Sequence, residues 1–254
     1  MTKIYAVTNQ KGGVGKTTTC VNLAASLVAT KRKVLLVDMD PQGHATLGSG
    51  LSKKDLQLSI YDVLMGDTGI AEARLKTDPG GYDILPANVD LAGAEVNLID
   101  QPRRERKLAE ALEVVKKDYD FILIDCPPSL NLLTINALTA ARGVLVPVQC
   151  EYYALEGLTS LLETLERVAG SVNPGLEVTG ILRTMYDPRN SLTRDVSTQL
   201  TDYFGQQVLG TVIPRNVRLA EAPSYGMPVI SYDAKSKGSL AYLALAGEIL
   251  RRSS

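Results

Sequence analysis

Histidine is almost absent from this 254-residue chain: His44 is the only one, and no cysteine stands near it. It reads as a loop residue, and a histidine-centred metal site is not expected. The three cysteines, Cys20, Cys126 and Cys150, are far apart and odd in number, without C-x-x-C spacing. A disulfide framework and a zinc site are therefore not expected. Cys126, between Asp125 and two prolines, reads as a small buried thiol. Charge of one sign is also missing: 27 lysines and arginines face 28 acidic residues, a net charge of -1. Any binding of nucleic acid must come from a local patch. No apolar run approaches the ~18 residues that cross a bilayer. The opening "MTKIYAV" has neither a signal-peptide apolar region nor a transit-peptide composition. A cytosolic protein with free thiols is expected. Internal repeats, low-complexity tracts and linkers are lacking too.

With 45% hydrophobic and 22% charged residues, the chain can bury a sizeable core. Apolar runs at 3–9, 33–40, 82–87, 121–128, 143–149, 176–185 and 207–214 read as strands. They are apolar throughout rather than alternating, as a parallel sheet covered on both faces requires. Helical patterns lie between them, at about 16–29, 92–117, 131–141, 154–169, 191–204 and 239–252. The alternation predicts an α/β fold, a doubly wound, mainly parallel sheet with helices on both faces, in a single domain over 1–254. Gly/Asp-rich stretches at 66–69 and 78–83 read as turns.

Ligands of such sheets sit beyond the carboxyl ends of the strands. There the first strand meets "NQKGGVGKTTT", Asn9 to Thr19. The usual phosphate-loop spacing, G-x-x-x-x-G-K-[ST], would put a glycine at Gln10, so the loop departs from it. Strand, glycine loop, Gly-Lys-Thr and helix still coincide as phosphate binding needs. Backbone N–H groups from Gly12 through Gly13, Val14, Gly15, Lys16, Thr17 and Thr18 would close around phosphate oxygens at a helix N-terminus. Lys16 would neutralise β/γ-phosphate charge, and Thr17 would place its hydroxyl on Mg²⁺. The second strand ends "DMDP"; Asp38 and Asp40, two apart, are expected on one face, with Asp40 on the γ-phosphate side. Asp125 ends "FILID" and would hold Mg²⁺ through water, and Asp40 is a further candidate for metal or water positioning. Lys11 stands ahead of the glycines. A loop lysine is ordinarily solvated; a second cation there can also reach across an interface to a partner's nucleotide, as an arginine finger acts in trans.

"KGGVGKTT" resembles the deviant Walker A loop of the ParA/MinD ATPases, and the chain is most similar to the short, Soj-like ParA group. The resemblance runs through "LLVDMDPQGHAT" (35–46), "DILPA" (83–87), "LAGAEVNL" (91–98), "IDCPPSLNLLTINAL" (124–138), "PVQCEYYALEGL" (147–158) and "VIPRNVRLAEAPSYGMPV" (212–229). It implies an ATPase for chromosome or plasmid segregation, with ATP and Mg²⁺ as cofactors and a sandwich homodimer in the ATP state. Lys11 is then the signature lysine that contacts the partner's phosphates, and Asp40 positions the attacking water. Hydrolysis would be slow alone and stimulated by a ParB-like centromere-binding protein. Nucleotide contacts would include Thr184, Met185, Pro214, Arg215 and Asn216, where backbone groups could read adenine. The ATP-bound dimer would sit on the nucleoid, bound to double-stranded DNA without sequence preference. Arg189 and Arg218 match positions the family uses for DNA; Arg215, Lys235 and Lys237 are further basic candidates in nearby loops. "RRERK" (103–107), interrupted by Glu105, reads as a solvated face.

The alternative is a MinD-like membrane-cycling ATPase, or an ATPase that positions another cargo with the same engine. A membrane anchor of that kind is a basic amphipathic helix beyond the core. The final "GSLAYLALAGEILRRSS" instead has apolar spacing suited to packing on the sheet, so no membrane contact is expected. A metabolic kinase would need an acceptor site, and the interface motifs argue against it. The chain opens directly at its first strand, without a helix-turn-helix region, so site-specific operator binding is not expected.

Overall fold

The computed structural model describes residues 1–253. Eight strands form one sheet: β1 Lys3–Val7, β2 Val34–Asp38, β3 Leu75–Lys76, β4 Asp83–Leu85, β5 Phe121–Asp125, β6 Gly143–Gln149, β7 Glu177–Tyr186 and β8 Val208–Pro214. Their order is β3-β4-β2-β5-β1-β6-β7-β8. Every pair is parallel except β3 with β4. The two-residue β3 is not legible in the sequence; it caps one edge of the sheet.

The apolar strands bury both faces, as their composition requires. In β2, Leu35 and Val37 join one cluster while Val34 and Leu36 join the other. The six longer helices are α1 Lys16–Ala29, α2 Lys107–Val115, α3 Leu132–Ala140, α4 Ala154–Ser171, α5 Ser191–Phe204 and α6 Lys237–Arg252. Residues of α2, α3, α4 and α5 cover one face; α1 and α6 cover the other. α1 is buried on nearly all sides from Thr19 to Leu27, packed between the sheet and α6. Its Thr19 hydroxyl meets the Tyr242 hydroxyl of α6 at 3.2 Å. α6 buries Tyr242, Leu245, Ala246 and Ile249 in that core, so its apolar face is used in packing.

Three expectations are corrected. The helix expected over 92–117 is broken into Leu91–Asn97, a 3-10 turn at Arg104–Arg106 and α2, because Pro102 and the left-handed Arg103 (φ 54°) interrupt it. β2 ends at Asp38, so the strand alternation that would align Asp38 with Asp40 does not extend to Asp40. His44 is not in a loop; it begins the short helix His44–Gly48, where it is exposed.

Candidate nucleotide site and basic surface

β1, β2 and β5 run side by side and end level: Val7 aligns with Asp125, and Asp125 with Asp38. This register brings the glycine loop, Asp38 and Asp125 together at the carboxyl edge. The loop's turns need glycine. Gly13 and Gly15 have φ of 74° and 92°, and Gly15 caps α1. A Cβ at Gly12 or Gly13 would meet nothing within 4 Å, so the loop faces open space with room for a ligand. The loop is anchored at both ends. Asn9 donates to the Pro147 carbonyl at 2.8 Å and accepts from the Lys11 N–H at 2.9 Å. The buried Thr184 hydroxyl donates to the Val14 carbonyl at 2.7 Å.

Lys16 is buried and donates to the Lys11 carbonyl at 3.2 Å. Burial lowers its pKa, against the opposing attraction of Asp125 and Asp40. Asp125 is fully buried. One carboxylate oxygen accepts from the Cys20 thiol at 3.6 Å, while Oδ2 has no hydrogen-bond partner. Burial raises its pKa and the neighbouring Asp38 raises it further, although the Thr17 hydroxyl acts the other way. A buried, unsatisfied carboxylate oxygen beside a Gly-Lys-Thr loop fits a hydrated divalent cation, which would supply the missing positive charge. Thr17 and Asp125 are therefore suited to hold Mg²⁺, Thr17 through its hydroxyl and Asp125 through water.

Asp38 does a different job. Its Oδ2 accepts from both the N–H (2.8 Å) and the hydroxyl (2.7 Å) of Thr46, and its Oδ1 accepts from the Asp40 N–H at 3.2 Å. It thus fixes the loop that carries Asp40. Asp40 is half-buried, with one oxygen accepting from the Gln42 N–H. Thr46, which sequence reasoning missed, also accepts the Ala87 N–H at 2.9 Å.

Lys11 is half-exposed and forms a 2.6 Å ion pair with Glu151 of its own chain. Glu151 was not foreseen, since the two lie far apart in sequence and meet only because β6 lies beside β1. The pair lines a hollow of about 440 Å³ with Tyr152, Tyr153, Asp187 and Arg215. Beside the loop, a cleft of about 210 Å³ is lined by Gly15, Thr18, Thr184, Met185, Pro214, Arg215 and Asn216, together with apolar side chains. Every nucleotide-contact candidate outside the loop therefore reaches one place. Met185 holds a φ of 49°, and the buried Asn216 Oδ1 lacks a partner.

The basic candidates divide. Arg189, Arg215 and Lys237 line one hollow of about 380 Å³ with Asp187, whereas Arg218 and Lys235 do not. Arg189 is tied to Asp187 through two hydrogen bonds of 2.9 and 2.8 Å, and the same contact lowers the Asp187 pKa to about 2. Arg218 is paired with Glu221 at 2.8 Å and with Asp233 at 3.4 Å. The two arginines expected to meet DNA first are thus engaged within the chain. Arg103 of the "RRERK" run pairs with Glu110.

A parallel sheet with a glycine loop opening α1, a buried lysine and an orphan carboxylate at the adjoining strand ends defines a P-loop nucleoside triphosphatase. A family described as an AAA domain matches residues 2–178. The chain is 53% identical to the sporulation initiation inhibitor protein Soj of Bacillus subtilis, covering 98% of each chain. It is 51% identical to the chromosome partitioning protein ParA of Caulobacter vibrioides, covering 98% of this chain and 94% of that one. Among solved structures, cobyrinic acid a,c-diamide synthase from Mycobacterium smegmatis with bound ADP and magnesium superposes with a TM-score of 0.88 at 43% identity, covering 100% of this chain and 96% of that one. The chain belongs to the ParA/Soj family of chromosome-partitioning ATPases. Among the described residues, no helix is long and apolar enough to cross a membrane.

Proposed function

We propose that this chain is a single-domain DNA-segregation ATPase that binds ATP with Mg²⁺, closes into a sandwich dimer, holds DNA without sequence preference and releases it on hydrolysis. The observation that carries this reading is the pairing of a complete phosphate loop with a second, half-exposed lysine at its rim. The loop N–H groups and Lys16 bind the β/γ-phosphates, Thr17 and Asp125 hold the cation, and Asp40 orients the attacking water. Mg²⁺ held by Thr17 and Asp125 would supply charge neutralisation at the phosphate oxygens. Lys11 must exchange Glu151 for a phosphate of the partner's nucleotide. Because ATP presents the charge that can win that exchange, dimerisation follows ATP rather than ADP. Thr184, Met185, Pro214, Arg215 and Asn216 surround the adenine. Arg189, Arg215 and Lys237, with Arg218 and Lys235, contact phosphates of duplex DNA, which fixes position without reading sequence. A ParB-like centromere-binding protein stimulates turnover. The ATP-bound form occupies the nucleoid, and no membrane contact is part of the cycle, since the apolar face of α6 is buried.

The test is the oligomeric state by light scattering with ATP, with ADP and without nucleotide. The wild-type chain should dimerise with ATP alone, and Lys11→Ala should remain monomeric while still binding nucleotide. A Lys11→Ala dimer as tight as wild type would reduce Lys11 to an ordinary surface lysine.

A further inference from the structure

The amino ends of the strands form a second basic surface, remote from the nucleotide. β1, β5 and β2 begin level with one another: Lys3 aligns with Phe121, and Phe121 with Val34. At about 4.8 Å between neighbours, these three starts span roughly 10 Å. Around them lie Lys3, the consecutive Lys31, Arg32 and Lys33 of the turn before β2, and Lys117 before β5. Lys33 and Lys117 share the rim of a hollow of about 410 Å³ with Arg74 and Lys76. Lys31, Arg32, Lys33 and Lys117 are exposed. None of these four side chains, nor that of Lys3, has an ion-pair partner among the described residues. Several local carboxylates are already engaged. Asp83 pairs with Lys76 and Arg74, Asp118 with Arg74, and Glu113 with Lys116. Asp120 accepts the Lys33 N–H.

Complementing helix ends does not account for so many cations. α1 ends at Ala29 and α2 at Val115, so two helix C-termini open onto this edge. A cation there gains little, and one per helix suffices. The unpaired excess sits on a chain of net charge -1. Its residues offer no exposed aromatic ring of the kind that anchors a protein partner. Lysine and arginine without such an anchor suit a row of phosphates. β1 is five residues long, which at about 3.3 Å per residue puts this edge some 17 Å from the phosphate loop. The hollow of Arg189, Arg215 and Lys237 lies at the opposite, carboxyl end of β7 and β8.

We propose that the amino-end edge of the sheet, centred on Lys31, Arg32, Lys33 and Lys117, is a second phosphate-binding surface that takes duplex DNA without sequence preference. It builds on the DNA-binding reading above but does not depend on nucleotide. With the two surfaces at opposite ends of the sheet, one molecule bridges two duplexes.

The test combines Lys31→Gln, Arg32→Gln, Lys33→Gln and Lys117→Gln in the full-length chain. All four residues are exposed, so the core is untouched. A surface-tethered duplex of arbitrary sequence is loaded with protein and ATP, then offered a fluorescent second duplex. The wild-type chain should capture it, and the variant should capture about ten-fold less. Without nucleotide, at low salt, the slope of log affinity against log salt should fall by about 3.6 in the variant, about 0.9 for each of four lost phosphate contacts. ATP-dependent affinity for a single duplex should change little. Equal capture by both proteins would overturn the proposal, as would a wild type that binds one duplex with ATP but never a second. Weaker binding of the variant to poly-glutamate, with DNA capture unchanged, would assign the surface to an acidic protein and overturn it too. A wild type that binds DNA equally with and without ATP would instead count against the ATP switch, leaving the second surface supported by the loss of slope.

Discussion

Lys11 and Asp125 stand at the rim and at the base of the glycine loop in different states. Lys11 is held by Glu151 at a surface where exchange is easy, since an exposed ion pair contributes only about 0–1 kcal/mol. Asp125 has a buried oxygen with no partner at all. Lys16→Ala removes the only buried cation of the loop and should abolish ATP binding in a titration with fluorescent ATP; unchanged affinity would refute the loop assignment. Asp40→Ala should keep ATP binding and the ATP-dependent dimer while turnover falls by about 10²-fold or more; wild-type phosphate release would move the water-positioning role elsewhere. Thr184→Val deletes the donor to the Val14 carbonyl and leaves that buried acceptor unpaired. It should cost about 1–3 kcal/mol in urea denaturation and weaken nucleotide binding by loosening the loop. The glycine loop, Lys16, Thr17 and Asp125 were legible because a local motif sits at a strand end. Glu151 and the Thr46 grip on Asp38 were not, because each depends on contacts that only the folded sheet creates.

Among the elements, α6 packs its apolar face into the core. Its Glu248 accepts from the N–H groups of Gly210 and Thr211 at 2.9 and 2.8 Å, and Arg252 pairs with it at 3.1 Å. This ties the helix to β8, an edge strand. Burial pushes the Glu248 pKa up, but these bonds and Arg252 outweigh it and hold the carboxyl below its ordinary value. A depressed folded pKa stabilises the protein above the unfolded value, about 4.3. That contribution is lost as pH falls through the folded value. Glu248→Gln should therefore be destabilised at neutral pH and show a shallower loss of melting temperature on acidification than wild type. Parallel pH profiles would exclude this role. The strands were read within a few residues because continuous apolar runs leave little ambiguity. The long helix expected over 92–117 fails at Pro102, a breaker visible in the sequence that outweighs the helical pattern around it.

For the whole molecule, the topology does most of the functional placing. Three adjacent central strands ending level give the glycine loop, Asp125 and the Asp40 loop a common edge. β6, β7 and β8 on one side add the Lys11 partner, the cleft beside the glycine loop and the basic hollow. The doubly wound sheet was legible from β-α alternation. The state of the basic surface was not: composition shows that charges balance, but only the fold shows that Arg189 and Arg218 are ion-paired while Arg215 and Lys237 are not, among the described residues. The central claim is that ATP, through dimerisation, turns this surface into a DNA clamp. It is tested most directly by measuring affinity for long duplex DNA of arbitrary sequence with ATP, with ADP and without nucleotide, across a salt series. The account predicts tight binding with ATP that weakens steeply with salt, and much weaker binding in the other two states. Equal binding in all three states, or none in any, would contradict it.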